Sequence, residues 1–184
     1  LPLLLLIIVA IVSTFIYMSN PEIKLEMQQQ QEKAMREQFQ KMVESGQMTQ
    51  QQVDEQLDKT AEMMNNPMII YLIPSISIFV IMLLWFFIFT TIAFLIAKFA
   101  FKGDGSYSQA MTAMGLSMYI SVLQSIILVI VGLLMGKMLT GLNPASLTGM
   151  DIKTLPGFLL SRLDVFSIWF YIVVGIAFAK MFKS

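Results

Sequence analysis

Long runs without a charged side chain constrain this sequence more than any other feature. These runs are residues 1–21, 63–97, 105–136 and 165–179. An α-helix rises about 1.5 Å per residue, so about 20 apolar residues cross the hydrocarbon core of a bilayer. The sequence therefore predicts an all-α, polytopic membrane protein. The predicted spans lie at about 1–18, 70–98, 107–136 and 163–182.

The composition agrees with this fold class and excludes several kinds of function. Hydrophobic residues make up 57% of the chain and charged residues only 13%, whereas soluble domains are about 25% charged. The net charge is zero, so we expect no nucleic-acid partner. The chain contains no Cys and no His, which removes thiolate chemistry, the commonest metal ligand and the usual general base. We expect no metal and no cofactor.

The first run favours a membrane anchor over a cleaved signal peptide. The apolar core of a signal peptide is about 7–15 residues long and precedes a small-residue cleavage site. Here the run is longer and ends in Tyr17-Met18-Ser19-Asn20-Pro21, without such a site. The chain then divides into a first transmembrane helix at 1–19, a polar segment at 20–67 and a transmembrane bundle at 68–184.

Charges in the connecting segments predict the orientation in the membrane. The segment 20–67 holds five basic and nine acidic residues, as is typical of an outward-facing segment. Lysines at the predicted inner face follow the positive-inside rule; they are Lys98, Lys102, Lys180 and Lys183. The opposite face has Lys137, Lys153 and Arg162, partly offset by Asp151 and Asp164. We therefore predict that the N-terminus, 99–106 and the C-terminus face the cytoplasm, with 20–67 and 137–162 outside.

The segment 20–67 carries the start and stop signals of two helices. Asn20 is a typical N-cap residue, and Pro21 favours the first helical position. Ser45-Gly46 predicts the end of this helix, and Thr49 with Gln52 forms the capping-box pattern of the next. Each helix has a narrow apolar stripe. The stripes are Met35, Phe39 and Met42 on the first helix, and Val53, Leu57, Ala61 and Met64 on the second.

These stripes predict an antiparallel helical hairpin. The hairpin either docks onto an extracytoplasmic partner or merely buries its own stripes. A further alternative is a pair of Gln-rich helices that only extend the spans, and the sequence leaves these alternatives open.

The short polar stretch "FKGDGSYSQAM" separates the second span from the third. Gly103-Asp104-Gly105 contains the G-x-G of a phosphate loop, but no strand, third glycine or GK[ST] accompanies it. Glycine and aspartate favour a tight turn instead. Ser106 and Gln109 have the spacing of a capping box that would open the third span.

Polar and small residues inside the third span are candidates for helix–helix or partner contacts. Gln124 is strongly polar and shares a region of the span with three serines, which are Ser117, Ser121 and Ser125. Such side chains hold membrane helices together, so packing within the chain and a partner-binding groove are both compatible with them. Gly132 and Gly136 spell G-x-x-x-G, a pattern of close helix contact.

Two motifs resemble the bacterial branch of the Yip family, membrane proteins named for binding Ypt/Rab GTPases in eukaryotes. The first motif opens the third span, and its matching residues are Lys102, Gly103, Gly105, Ser106, Tyr107 and Gln109. The second opens the last span, and its matching residues are Leu163, Asp164, Phe166, Ser167 and Trp169. The stretch "NPMIIYLIPSISIFV" before the first motif adds to the resemblance. The family usually has five spans, whereas this sequence shows four.

The resemblance implies an all-helical, non-enzymatic scaffold or accessory subunit of the bacterial cytoplasmic (inner) membrane that binds another membrane protein. The Asp-Leu-Tyr-Gly-Pro motif of the eukaryotic members is absent, so no Rab GTPase partner is expected. A small transporter or permease component is the alternative. Ionisable residues are missing from the middle of the spans, which argues against ion-coupled transport.

Overall fold

The computed structural model describes residues 1–63, 66, 68–139 and 141–182, with the backbone alone at 61 and 62. These residues form helices and turns, with no strand among them. The α-helices of the described chain are α1 (Pro2–Ser19), α2 (Pro21–Glu44), α3 (Gln50–Met63), α4 (Ile73–Leu95), α5 (Tyr107–Met135), α6 (Pro144–Thr148), α7 (Leu155–Ser161) and α8 (Val165–Met181).

In the described part of the chain, three helical stretches are long and apolar enough to cross a membrane: Pro2–Ser19, Met68–Ala100 and Tyr107–Met135. The predicted all-helical, multi-pass class is thereby confirmed. A fourth span requires α7 and α8 together, because α8 has only 17 residues and α7 meets it at a bend of 50°. The segment 137–162, predicted to be a connection, contains the short helices α6 and α7.

The second span is a continuous helix that is α-helical in its middle and π-helical near both ends. π-helical turns at Met68–Leu72 and Ile96–Ala100 flank α4. Pro74 lies in the first turn of α4, where the missing N–H of a proline is tolerated. The whole stretch has 33 residues, which is more than a bilayer core requires.

The helix α5 is the centre of the bundle, since it packs against α1, α4 and α8, and α1 also contacts α4. A small core lies near each end of α5. The turn-end core consists of Ala97, Ala110, Ala113, Phe178 and Phe182. The core at the other end, where α2 leaves the bundle, consists of Tyr17, Ile23 and Val129, with Met27 packed against it. We call it the arm-end core. Full burial of Ala110 and Ala113 lets α5 approach its neighbours closely.

The connecting segments lie at two opposite ends of the bundle. The first residues of α1 line a shared cavity with Ser108 and Thr112 at the start of α5, and the turn 101–106 lies near Phe182. At the other end, the Nζ atom of Lys153 is 3.9 Å from the Oε2 atom of Glu37 in α2. The segments 20–67 and 137–162 thus share one end, as the predicted topology requires. Which end faces the cytoplasm stays a prediction.

Candidate functional site

A buried carboxylate joins three parts of the chain at the start of α8. The Oδ1 atom of Asp164 accepts hydrogen bonds from the backbone N–H groups of Phe166 and Ser167, both at 3.0 Å. Its Oδ2 atom accepts from the Leu142 N–H at 2.8 Å and from Nε2 of Gln124 at 3.0 Å. The side chain is only 5% exposed. We call Asp164, Gln124 and Leu142 the carboxylate node.

The carboxylate node has the properties of a structural contact. A carboxylate offers about four acceptor positions, and the four donors of the node occupy them. Two of these donors lie at the N-terminus of α8, where the helix dipole favours a negative charge. The node therefore holds α5, α8 and the connection at 142 in register, and it leaves Asp164 no vacant position for a substrate or a cation.

The connection beside the node is tightly built. A Cβ atom on Gly141 would lie 2.6 Å from Nδ2 of Asn143 and 3.0 Å from Oδ2 of Asp164. Asn143 caps α6 by accepting a hydrogen bond from the Ser146 N–H at 2.9 Å. Lys137 donates to the carbonyl of Leu147 at 3.2 Å. These contacts tie residues 137, 141 and 143 to α6 and to the carboxylate node.

Among the predicted polar residues of α5, Gln124 forms a hydrogen bond with Asp164 outside the helix. Two of the serines form hydrogen bonds within α5. Ser117 donates to the Ala113 carbonyl at 2.9 Å, and Ser125 donates to the Ser121 carbonyl at 2.8 Å. Ser117 is fully buried, so it contributes a small packing surface as well.

The two glycines of the G-x-x-x-G pattern have different roles. A Cβ atom on Gly132 would lie 2.7 Å from the Tyr17 hydroxyl, and that hydroxyl donates to the Leu128 carbonyl at 3.0 Å. Gly132 therefore permits the close contact between α1 and α5. Gly136 instead ends α5 in the left-handed conformation, with φ of 64°.

The residues of the first family motif build the turn before α5. Gly103 and Gly105 are buried, and a Cβ atom on Gly105 would lie 2.5 Å from the Phe182 ring. Ser106 and Gln109 form the predicted capping box. The Tyr107 hydroxyl lies 3.0 Å from Oγ1 of Thr91. Both glycines thus serve packing against the end of α8.

The second motif lies at the other end of α8, so the two motifs do not form one site. Asp164 is its buried member, and Ser167 supplies one of the N–H groups of the carboxylate node. Leu163 is 53% exposed and Trp169 is 46% exposed. The rings of Phe166 and Trp169 have centroids 6.2 Å apart. On the first motif's side, Lys102 and Asp104 are exposed.

The helices α2 and α3, which we call the arm, stand on the arm-end core. Asn20 caps α2 by accepting from the Glu22 and Ile23 N–H groups at 3.0 and 3.2 Å. Ile23 is fully buried against Tyr17 and Val129. This base fixes the direction in which α2 leaves the bundle.

Farther along the arm, α2 and α3 contact each other. The described residues of the predicted stripes are partly covered: Val53 is buried, and Leu57, Met35, Phe39 and Met42 are half-buried. Met64 and the side chain of Ala61 lie outside the described residues. Most other described positions of the arm beyond its base are exposed.

Ion pairs on the arm are solvent-exposed: two join residues one helical turn apart, and Glu37 pairs with Lys153 outside the arm. Arg36 pairs with Glu32 at 2.8 Å, and Lys59 pairs with Glu55 at 2.7 Å. The hydrogen bond from Lys59, aided by its positive charge, lowers the pKa of the Glu55 carboxyl. Exposed pairs at this spacing stabilise a helix only weakly, because water and salt screen their attraction. These pairs therefore contribute little to the stability of the arm.

A cavity of about 260 Å³ lies at the level of the spans and is lined mainly by apolar side chains from α1, α4, α5 and α8, including Trp85, Phe89, Met114 and Phe170. Within the described ranges, no cluster of three His, Cys, Asp or Glu side chains could hold a metal ion. No protein-family model, curated protein or solved structure matches this chain. The resemblance to the Yip family therefore stays a prediction from the two motifs.

Proposed function

We propose that this chain is a non-enzymatic scaffold or accessory subunit of a bacterial inner membrane, and that it binds another membrane protein through the arm and the outer faces of its spans. The observation that carries the proposal is the arm itself. It is fixed to the bundle at a buried base and exposes a long polar surface beyond it.

The geometry of the arm suits a reversible contact with a partner. The 24 residues of α2 extend roughly 36 Å at the usual helical rise. Its buried residue Ile23 lies near the start of the helix. The exposed faces are rich in Gln, Glu and Lys, which suits the polar rim of a reversible contact and not the apolar core of an obligate interface.

The spans offer a second contact surface. Only 11% of the most apolar 18-residue stretch of the second span is buried within the chain. Large side chains of this span, such as Trp85 and Phe89, are about half exposed. In a bilayer such a face contacts either acyl chains or the helices of another protein. A partner that is itself a membrane protein could contact this face and the arm together.

The carboxylate node argues against the transporter alternative. Transport sites inside membranes normally use ionisable groups that face a water-filled path. Asp164 is the buried acidic residue among those described, and its acceptor positions are already occupied. The span-level cavity is apolar, which suits neither an ion nor a polar solute.

Replacing residues 32–62 by a flexible Gly/Ser linker should leave the bundle folded but reduce the recovery of its membrane partner. The base of α2 is kept because Ile23 and Met27 cover Tyr17 and Val129. Recovery is measured by purification from native membranes in mild detergent, followed by mass spectrometry of co-purifying proteins. The melting temperature of the shortened chain reports the state of the bundle.

The matched control exchanges the charges of one arm ion pair, Glu55→Lys with Lys59→Glu, which keeps the net charge and the pair. We expect this control to retain the partner. The charge reversals Lys33→Glu and Arg36→Glu should reduce recovery at low salt. If attraction contributes, the difference from the unmodified chain should shrink at high salt, because salt screens exposed charges. Undiminished recovery with the linker variant would show that the arm does not bind the partner.

A further inference from the structure

Three lysines surround the end of the bundle at which the turn 101–106 lies. Lys98 belongs to the π-helical turn Ile96–Ala100, Lys102 to the turn itself and Lys180 to the last turn of α8. The turn-end core joins the elements that carry them, because Ala97 packs there with Phe178 and Phe182. We call Lys98, Lys102 and Lys180 the lysine end.

The lysine end has little compensating charge. Asp104 is the sole acidic residue of the sequence between 63 and 150, and no acidic residue follows Asp164. Among the described residues, none of the three lysines forms an ion pair. Lys98 lies over the ring of Phe94, with Nζ 5.3 Å from the ring centroid. Its ammonium is therefore held at this end while its side chain stays exposed.

Apolar rings accompany these cations. Phe99 is 74% exposed and Phe101 is 68% exposed. Phe99 lies in the last turn of the apolar second span, and Phe101 directly follows that span. Lysines beside exposed aromatic rings at the end of a spanning helix match the chemistry of the membrane interface, where rings enter the headgroup layer and ammonium groups reach phosphates. A soluble acidic partner would not by itself bury both rings.

The backbone at Lys102 gives an independent sign that the cation serves a function. Its φ is 54°, the left-handed region that side chains other than Gly, Asn and Asp rarely adopt. A lysine here keeps a charge at a position where glycine or asparagine would be less strained. Strained residues of this kind cluster at binding sites.

From these observations we propose that the lysine end binds the phosphate groups of anionic phospholipids from the surrounding bilayer, with Phe99 and Phe101 seated in the same headgroup layer. The proposal does not depend on the partner protein. It concerns a different end of the molecule from the arm.

The test compares phosphatidylglycerol with phosphatidylcholine of the same acyl chains. Each lipid is titrated into the full chain in uncharged detergent, and bound lipid is counted by native mass spectrometry. We expect tighter binding of phosphatidylglycerol, weakened by added salt. Because a lysine near a membrane surface contributes about fivefold in affinity for anionic lipid, Lys102→Asn should lower that affinity about fivefold. The triple change of the lysine end to Gln should remove the preference.

Lys102→Asn separates binding from folding, because asparagine tolerates a positive φ. The melting temperature of this variant should equal or exceed that of the unmodified chain. The matched control changes Lys33, Lys41 and Lys59 of the arm to Gln and should keep the preference. Equal binding of both lipids by the unmodified chain would overturn the proposal, as would a preference that survives the triple change. Stabilisation by inorganic phosphate or poly-glutamate as strong as that by phosphatidylglycerol would identify a general anion site or an acidic protein site instead.

Discussion

Replacing Asp164 by alanine should lower the free energy of unfolding by at least about 3 kcal/mol. The change removes an N-cap of α8, which contributes about 1 kcal/mol. It also leaves the Gln124 amide and the Leu142 N–H without their acceptor, and each buried unpaired donor costs about 1–3 kcal/mol. Reversible unfolding in mixed micelles, followed by circular dichroism, measures the effect.

Asp151 supplies the matched control because it also accepts a local backbone hydrogen bond, from the Lys153 N–H at 2.8 Å, but is exposed. Asp151→Ala should change stability by less than about 0.5 kcal/mol. Asp164→Asn should lie between the two, because its oxygen can still cap α8 while its amide faces two donors. Adding Gln124→Leu to Asp164→Ala should cost less than Gln124→Leu alone. Equal effects of Asp164→Ala and Asp151→Ala would show that the carboxylate node does not hold the bundle.

Gly105→Ala should destabilise the end of the bundle by about 1–3 kcal/mol, the usual cost of overfilling a packed site. The added Cβ would lie 2.5 Å from two carbons of the Phe182 ring. Phe182 is only 2% exposed and packs with Phe178 and Ala97 in the turn-end core, so its ring has little room to move. Thermal unfolding of the purified chain measures the loss.

Gly175→Ala is the matched control, since no atom lies within 4 Å of a Cβ built at Gly175. We expect this change to be neutral or stabilising because alanine favours a helix more than glycine does. Phe182→Leu should partly restore the stability of Gly105→Ala by making space. If Gly105→Ala and Gly175→Ala unfold at the same temperature, the close contact between the turn and Phe182 is not what stabilises this end.

The sequence was sufficient to predict the elements that depend on local signals. Charge-free length located the helices of the first three spans, because burial in hydrocarbon leaves few alternatives to a helix. Local hydrogen-bond chemistry placed caps such as Asn20, Ser106 and Thr49 correctly. For the last span the same rule was weaker, because α8 is short and its extension through α7 is bent.

The contacts between distant residues could not be predicted in this way. Gln124 and Asp164 are 40 positions apart, and each was singled out for a separate reason, yet only the packing of α8 on α5 brings them together. A polar amide inside an apolar span needs a partner, so the need for a contact was visible although its identity was not. Phe182 offered no signal for its place over Gly105, because apolar residues near the end of a span are common.

Accessibility of single cysteines from the two sides of a membrane tests most directly whether the bundle crosses it with the arm outside. The sequence contains no Cys, so Gln47→Cys, Lys153→Cys and Asp104→Cys each carry one reporter at an exposed position. On intact cells, an impermeant thiol reagent should label positions 47 and 153 but reach 104 only after lysis. Labelling of 47 and 104 from the same side would contradict the spanning bundle, and labelling of 104 alone would reverse its orientation.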